Sequence, residues 1–510
     1  MNLHVKIAIG LVLVGGAAMG YLKWHEQQRL AEQQRATSDA RAVKGRIVIG
    51  ADNWIGYFPL CSRALKEAMR QREYQLECND DQADYAGRMR QLKNGGIQLA
   101  VATVDSYLLN GAPADYPGAI IAVIDESRGG DALVAWKDQL ARIEDLKAHT
   151  PKIAFTPNSP SEHLLKSIAV HFDVPSLKEK NGAWRLEANG SSEALDRLRK
   201  KQSTAAVLWE PDVSKALSQA GIVKLLGTED TEGLIVDVLI VGRDFSQQHP
   251  EAVQELLNAY FEVLQTYADN RDQLVTDAMT ATGFKAEQAA AVLKGVRWIS
   301  LDENVELWFG GPGKGHELTD AIESTLQILT DAADFKNNPL PDGDPYRLIN
   351  SQFLNLAVKN TATAGGFVPP LERKFTPLDT EGWAVLKEIG ALRTRPIQFQ
   401  SGTADLSLVG KQELDKIAEN LKHYPNFRVI VKGHTGTRGD AEENRILSQD
   451  RAEAVARYFE VTYNMDANRI RVLGLGCGQP LARLPGESER AYGYRLPRVE
   501  IALASAGIGM

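Results

Sequence analysis

Polar and aromatic side chains follow several short apolar runs of this sequence, where they could recognise a small ligand. The run at 46–50 is followed by Asp52, Asn53, Trp54 and Tyr57, and three later runs are followed by similar residues. In open α/β sheets, ligands bind beyond the carboxyl ends of the strands. The candidate ligand-binding residues are therefore Asp52, Asn53, Trp54, Tyr57, Thr103, Asp105, Asn158, Ser159, Ser161, Trp209 and Glu210.

The residue types in this set allow more than one kind of ligand. Ser159 and Ser161 stand at a predicted helix start, where backbone N–H groups and the helix dipole favour an anion. The alternative for these serines is a simple N-cap. Trp54, Tyr57 and Trp209 could stack on a planar or cationic ligand, whereas core packing is the alternative for the first two.

Three acidic candidates argue against a simple receptor for small anions. Asp52, Asp105 and Glu210 favour a zwitterion, an amine or a neutral solute equally well, and Glu210 could instead tie two lobes together. The sequence leaves the solute open.

The sequence contains no persuasive catalytic motif, so no enzyme activity is predicted. Residues 310–316 read GGPGKGH but lack the Ser or Thr that a phosphate-binding loop needs, and a surface loop is expected there. The nine histidines do not cluster, and no cysteine pair has metal-ligand spacing, so neither a metal nor a cofactor is expected.

Between residues 45 and 357 the pattern alternates short apolar strands with helices, which is typical of an α/β fold with a largely parallel sheet. A second unit of the same kind starts near 152. The pattern predicts a bilobed domain with two crossings between its lobes. Lobe I is expected at about 45–127 and 243–357, and lobe II at about 128–242.

Four segments give this domain a family resemblance. Residues 50–60 read GADNWIGYFPL, 98–105 read QLAVATVD, 143–147 read IEDLK, and 208–212 read LWEPD. In this order they resemble the NitT/TauT-type periplasmic solute-binding proteins over roughly 45–345. The resemblance implies the type II periplasmic-binding-protein fold and a small-molecule solute delivered to an ABC permease.

The last part of the chain carries a second set of motifs. Residues 433–439 read GHTGTRG and are followed by Asn444 and by LSQDRA at 447–452. Together with 397–406 and 498–501, they resemble the peptidoglycan-binding OmpA-like domains. The resemblance implies an α+β domain at 380–505, which follows a linker rich in Thr, Gly and Pro at 358–379.

The OmpA-like resemblance implies that peptidoglycan is bound at Thr435, Gly436, Asn444 and Arg451. The family has an Asp at the position of Gly436, and that Asp with the matching Arg holds the diaminopimelate of the wall peptide. This chain therefore retains only the arginine. Asp440, Glu442 or Glu443 could replace the acid, whereas the alternative for Arg451 is a structural salt bridge.

Residues 7–22 carry no charge and are flanked by Lys6 and Lys23. They predict an N-terminal transmembrane helix within 1–23, followed by a polar helical stalk at 24–44. A cleaved signal peptide is the alternative. Either places the rest of the chain in the periplasm, and the first places it on the periplasmic side of the inner membrane of a Gram-negative bacterium, anchored by a single pass.

The chain has 510 residues and a net charge of −8, which argues against a nucleic-acid partner. In an oxidising compartment, Cys61 and Cys78 could form a disulfide because both fall at the carboxyl edge of the predicted sheet. Two buried thiols are the alternative.

These features predict a membrane-anchored periplasmic solute-binding protein whose OmpA-like domain contacts peptidoglycan. Its partners would be a small solute, peptidoglycan, the inner membrane, and an ABC permease or another envelope protein. The alternative function is that of a structural or assembly protein of the envelope whose bilobed domain binds a protein.

Overall fold

The computed structural model describes residues 43–148, 151–310, 316–360, 375–400 and 403–505. Within these ranges the strands form sheets of six, five and four strands. In chain order the strands are β1 (Gly45–Ala51), β2 (Tyr74–Asp80), β3 (Leu99–Thr103), β4 (Gly118–Ser127), β5 (Asp131–Trp136), β6 (Ile153–Phe155), β7 (Arg185–Glu187), β8 (Ala205–Trp209), β9 (Ile222–Gly227), β10 (Val236–Gly242), β11 (Val296–Trp298), β12 (Lys387–Ala391), β13 (Arg428–His434), β14 (Ile470–Gly474) and β15 (Arg498–Ser505).

Lobe I is built on the six-stranded sheet, in the order β11-β4-β10-β3-β1-β2. β1 is parallel to β2 and β3, whereas β10 runs antiparallel to β3 and β4. Its central strands are continuous apolar runs because helices cover both faces of the sheet. These helices are Phe58–Cys61, Arg63–Gln71, Tyr85–Lys93, Val104–Gly111, Arg243–Gln248, Pro250–Asp269, Arg271–Thr282, Ala286–Leu293, Leu301–Glu303, Glu317–Asp331 and Gln352–Asn360.

Lobe II is built on the five-stranded sheet, in the order β7-β6-β8-β5-β9. Its helices are Asp145–Ala148, Pro160–His171, Ser191–Arg199 and Asp212–Leu217. The chain passes between the lobes at 128–130 and at 228–235. The expected lobe boundary at 242 is wrong because β10 pairs with β3 and β4 of lobe I. An apolar run such as β10 fits either sheet, and only strand pairing assigns it.

The C-terminal domain has the sheet order β12-β15-β13-β14, with the helices Thr380–Ala384, Leu408–Lys422, Ala441–Tyr463 and Glu489–Arg495. Alternating side chains of β13 and β15, such as Val431 and Ile501, are buried in its core. Within the 397–406 motif, the described residues pair through a single bridge, Phe399 to Leu406, and the edge strand of the sheet is β12.

The C-terminal domain and lobe II share one hydrophobic core. The ring of Tyr424 packs edge-on against Phe172 of lobe II, with 5.7 Å between the ring centroids. The Ala391 amide donates a hydrogen bond of 2.7 Å to Glu144, and the Asn426 side chain donates one of 2.6 Å to the Glu229 carbonyl. This domain is therefore packed against the bilobed domain.

The expected transmembrane segment and nearly all of the expected stalk lie outside the described residues, as do 361–374 of the expected linker. Among the residues that the structure describes, none of the helices has the length and apolar character needed to cross a membrane.

Candidate functional site

A cavity of about 20 Å³ lies between the two lobes. This volume is close to what one water molecule or one ammonium group needs. The cavity is lined by Asp52, Trp54, Tyr57, Tyr85, Thr103, Asp131, Pro160, Trp209, Ile235 and Asp237. Both lobes contribute to its walls, as expected of a ligand cleft.

Five of the sequence-predicted residues line this cavity: Asp52, Trp54, Tyr57, Thr103 and Trp209. Sequence reasoning missed Tyr85, Asp131 and Asp237. The signal for the two aspartates was present, because each is a lone carboxylate at the start of an otherwise apolar strand, in DALVAW and VDVLIVG.

The remaining candidates lie around the cavity and do not line it. Asn53 accepts a hydrogen bond of 3.3 Å from the Trp209 indole, which joins lobe I to lobe II. The carbonyl of Asn158 accepts hydrogen bonds from Ser106 and Asn110 of lobe I. These two contacts hold the lobes together at the cleft. Asp105 is buried next to Ser106.

Ser159 and Glu210, two of the predicted ligand-binding residues, make local structural contacts. Ser159 caps the helix Pro160–His171, because its hydroxyl accepts from the Ser161 amide and donates to the Thr156 carbonyl. The Ser161 hydroxyl is fully buried and has no hydrogen-bond partner among the described residues. The Glu210 carboxylate accepts from the amide and the hydroxyl of Ser214, at 3.1 and 2.7 Å.

Asp52 is neutralised by a buried arginine. Arg88 is fully buried, lies 3.0 Å from the Asp52 carboxylate and 2.6 Å from that of Asp81, and donates to the Val101 carbonyl. An arginine shared between two carboxylates and a carbonyl is satisfied on several sides. It therefore has little capacity left for a ligand.

Trp54 is seated between two glycines. A Cβ atom on Gly56 would lie 2.2 Å from the indole nitrogen, and one on Gly130 would lie 2.1 Å from the far edge of the ring. Any side chain at either position would displace the indole. The Trp54 nitrogen donates a hydrogen bond of 3.1 Å to Asp125.

Tyr57 donates a hydrogen bond of 2.5 Å to Asp237. Asp237 lies directly opposite Asp125 on the neighbouring antiparallel strand. Burial raises the pKa of Asp125 to about 8 and that of Asp131 to about 7, and it raises the pKa of Asp237 well above its ordinary value. The donors that hold these three carboxyls are neutral indole and hydroxyl groups.

The second candidate site lies at the end of β13. Arg451 extends over the Phe399 ring at 5.0 Å, and its Nε atom lies 3.4 Å from the Thr403 carbonyl. Asn444 donates to the carbonyls of Arg438 and Asp440, both at 2.9 Å, so it shapes the loop.

Comparison with known families agrees with this geometry. Residues 398–492 match the model of the OmpA family. The C-terminal domain belongs to the OmpA family. It is 38% identical over 108 residues to the probable lipoprotein YiaD of Escherichia coli, and 36% identical over 81 residues to the peptidoglycan-associated lipoprotein of Brucella melitensis.

These matches cover 21% and 15% of this chain, and the chain spans about half, 48%, of each relative. The peptidoglycan-binding protein ArfA of Mycobacterium tuberculosis is 32% identical over 150 residues, which are 29% of this chain and 44% of that protein.

The bilobed domain resembles solved periplasmic binding proteins. A sulfonate-binding protein SsuA of Methylobacillus flagellatus matches with a TM-score of 0.49 and 15% identity, over 66% of this chain and 99% of that one. The nitrate-binding protein NrtA of Synechocystis matches with a TM-score of 0.46 and 13% identity, over 63% and 90%. With its two sheets and two crossings, this domain has a bilobed α/β architecture.

Within the OmpA-family domain, Gly436 has space for a side chain. A Cβ atom built on it meets no atom within 4 Å. The neighbouring Thr435 is buried, and its hydroxyl has no hydrogen-bond partner among the described residues.

Two of the three acids considered as replacements for the family Asp already make other contacts. Asp440 caps the helix Ala441–Tyr463 by accepting from the amides of Glu442 and Glu443, and the Glu442 carboxylate pairs with Arg445 at 2.7 Å. The exposed Glu443 is the remaining candidate.

The structure pairs Cys61 with Cys78 in a disulfide, with 5.8 Å between their Cα atoms. The bridge links the end of the helix Phe58–Cys61 to β2, at the edge of lobe I near the cleft. Cys477 is a free thiol.

Proposed function

We propose that this protein is a periplasmic solute-binding protein, anchored in the inner membrane through residues 7–22 and held at peptidoglycan by its OmpA-family domain. In this role it supports ABC-type uptake or solute sensing. The observation that carries the proposal is the cavity between the lobes. Its walls combine residues of lobe I, such as Tyr57 and Asp237, with Asp131 and Trp209 of lobe II. Closing two lobes on a solute is how such a fold binds its ligand.

The second half of the proposal rests on the OmpA-family domain. The matching relatives include a peptidoglycan-associated lipoprotein and a peptidoglycan-binding protein. Arg451 keeps the position of the family arginine, and the Phe399 ring and the Thr403 carbonyl hold its guanidinium in place. A guanidinium held in this way binds a carboxylate through two parallel hydrogen bonds.

Cosedimentation with purified sacculi tests wall binding. We expect the full chain to sediment with sacculi and Arg451→Ala to remain largely in the supernatant. Arg445→Ala is the matched control because Arg445 lies on the same helix but pairs with Glu442. If the unaltered protein stays in solution with sacculi, the wall-binding half of the proposal is wrong.

Thermal denaturation of the full chain in the presence of solutes tests the other half. We expect at least one class among amines, organic anions, amino acids and pyrimidines to raise the melting temperature with a saturable dose dependence. The control is Trp54→Ala, which removes a wall of the cavity and should abolish the shift.

One observation favours the alternative function, a structural envelope protein whose bilobed domain binds another protein. The cavity is small, about 20 Å³, and the bond between Trp209 and Asn53 closes the cleft across it. This alternative predicts that no solute class stabilises the protein, although sacculi still retain it.

A further inference from the structure

Acidic side chains predominate among the ionisable groups of the cavity walls. Asp52, Asp131 and Asp237 line the cavity, and none of the described lining residues is Lys, Arg or His. Arg88 lies against Asp52 and Asp81. Arg88 balances the charge of Asp52. The other two acids, Asp131 and Asp237, have no positive partner among the described wall residues.

The hydrogen-bond donors to Asp125, behind the wall, and to Asp131, in the wall, are neutral groups. Asp125 is fully buried; one of its oxygens accepts from the Trp54 indole, and the other has no hydrogen-bond partner among the described residues. Asp131 accepts a hydrogen bond of 2.7 Å from Ser127. Carboxylates buried without a cation are costly, because desolvation is not offset by charge pairing. A positively charged ligand would offset this cost.

Aromatic rings complete the cavity. Trp54, Tyr57, Tyr85 and Trp209 all line it. Aromatic faces attract cations, and several rings around one small volume are typical of sites that bind ammonium groups. The volume of about 20 Å³ matches an ammonium head group, whereas a sulfonate or another oxyanion would meet carboxylates on several sides.

We propose that the cleft binds a small organic cation, a primary amine, whose ammonium group lies between Asp131 and Asp237 against the rings of Trp54, Tyr57 and Trp209. This inference rests on the proposed solute-binding function and names its ligand class. Asp125, held by Trp54 beside Asp237, adds negative charge behind the site.

The charged surroundings make amine binding depend on pH. Besides burial, the nearby carboxylates of Asp105, Glu210 and Asp52 raise the pKa of Asp131. Besides burial, Asp125, Asp131 and Asp52 raise the pKa of Asp237. Besides burial, Asp131 and Glu126 raise the pKa of Asp125. All of these groups are acidic. Raising the pH ionises the carboxyls, so the affinity for an amine should increase between pH 6 and pH 8.

Isothermal titration of the full chain with matched ligands tests the inference. The probes are propylamine and putrescine, propanesulfonate as the anion with the same carbon skeleton as propylamine, and propanol as the neutral analogue. We expect an amine to bind, at least 10-fold more tightly at pH 8 than at pH 6, and the sulfonate not to bind.

Variants locate the site. Asp131→Asn and Asp237→Asn should each weaken amine binding at least 10-fold. Asp196→Asn, at an exposed side chain on a helix of lobe II, should leave it unchanged. Circular dichroism shows whether each variant is folded, and the pH dependence of the unaltered protein needs no variant at all.

Binding of the sulfonate or of propanol in preference to the amines overturns the amine assignment but leaves solute binding intact. Failure of all probes and of the wider solute panel overturns both.

Discussion

The imidazole Nε2 atom of His423, in the OmpA-family domain, lies 2.7 Å from the hydroxyl of Ser324 in lobe I. The other imidazole nitrogen lies 2.9 Å from the carbonyl of Glu232, in the segment that crosses between the lobes. One side chain of the OmpA-family domain therefore contacts both lobe I and the crossing segment. The neighbouring Tyr424 contacts lobe II, where its hydroxyl lies 2.7 Å from His171.

Removing the His423 side chain should loosen this contact between domains. His423→Ala deletes two hydrogen bonds, each with a net contribution of about 1 kcal/mol, so the free energy of unfolding should fall by about 1–3 kcal/mol. Urea denaturation measures the change. Lys422→Ala is the control, because Lys422 is exposed and pairs with Glu419 on its own helix. Equal effects of the two substitutions would contradict the contact.

Acid should weaken the same interface. Burial lowers the pKa of His171 to about 3, from an ordinary value near 6.5. Since the unfolded chain binds the proton more readily, the stability that the neutral imidazole contributes is present above about pH 6.5 and is lost as the pH falls toward 3. The melting temperature of the unaltered protein should therefore fall more steeply with decreasing pH over this range than that of His171→Gln. His249→Gln, at an exposed histidine, should follow the unaltered protein.

The buried acids of the cleft should act in the opposite direction. Burial raises the pKa of Asp131 to about 7. The stability associated with its protonated form is therefore complete below about pH 4 and is lost as the pH rises through 7. A pKa shift of one unit corresponds to ~1.4 kcal/mol, so Asp131→Asn should reduce the loss of stability between pH 5 and pH 8 by at least that amount. An unchanged pH profile in the variant would contradict the shift.

An acid at position 436 should strengthen peptidoglycan binding. The space around Gly436 accommodates a Cβ atom, so Gly436→Asp should fold normally. A carboxylate there would supply the charge partner that the family signature has and this chain lacks, which corresponds to about 2–5 kcal/mol for a partly buried ammonium. We expect at least a 10-fold gain in affinity for sacculi. Gly436→Asn, which has the shape without the charge, is the control and should show little gain.

Reduction of the disulfide should destabilise lobe I. Cys61 and Cys78 are 17 residues apart, and a loop of this length corresponds to about 3 kcal/mol of stabilisation. The paired substitution Cys61→Ser with Cys78→Ser should lower the denaturation midpoint, and reductant should have no further effect on it. Cys477→Ser is the control because that thiol is unbridged.

Several residues of the cleft could be predicted from the sequence because their position depends on the strand that immediately precedes them. Asp52, Trp54 and Tyr57 follow directly after a strand, and chain direction alone places such residues at the ligand edge of a parallel sheet. Asp131 and Asp237 were missed because each stands near the start of a strand that directly follows a crossing segment. Their position in the cleft depends on which sheet each strand joins.

The order of the elements, the OmpA-family signature and the absence of the acid at Gly436 can all be read from the chain alone, because periodicity and motif spacing are properties of neighbouring residues. The folded structure was needed to assign β10 to lobe I, to pair Trp54 with Asp125 and to bring His423 to Ser324. Each of these contacts joins residues at least 71 positions apart. Pairing and packing across such distances depend on the whole fold, which no short pattern in the chain encodes.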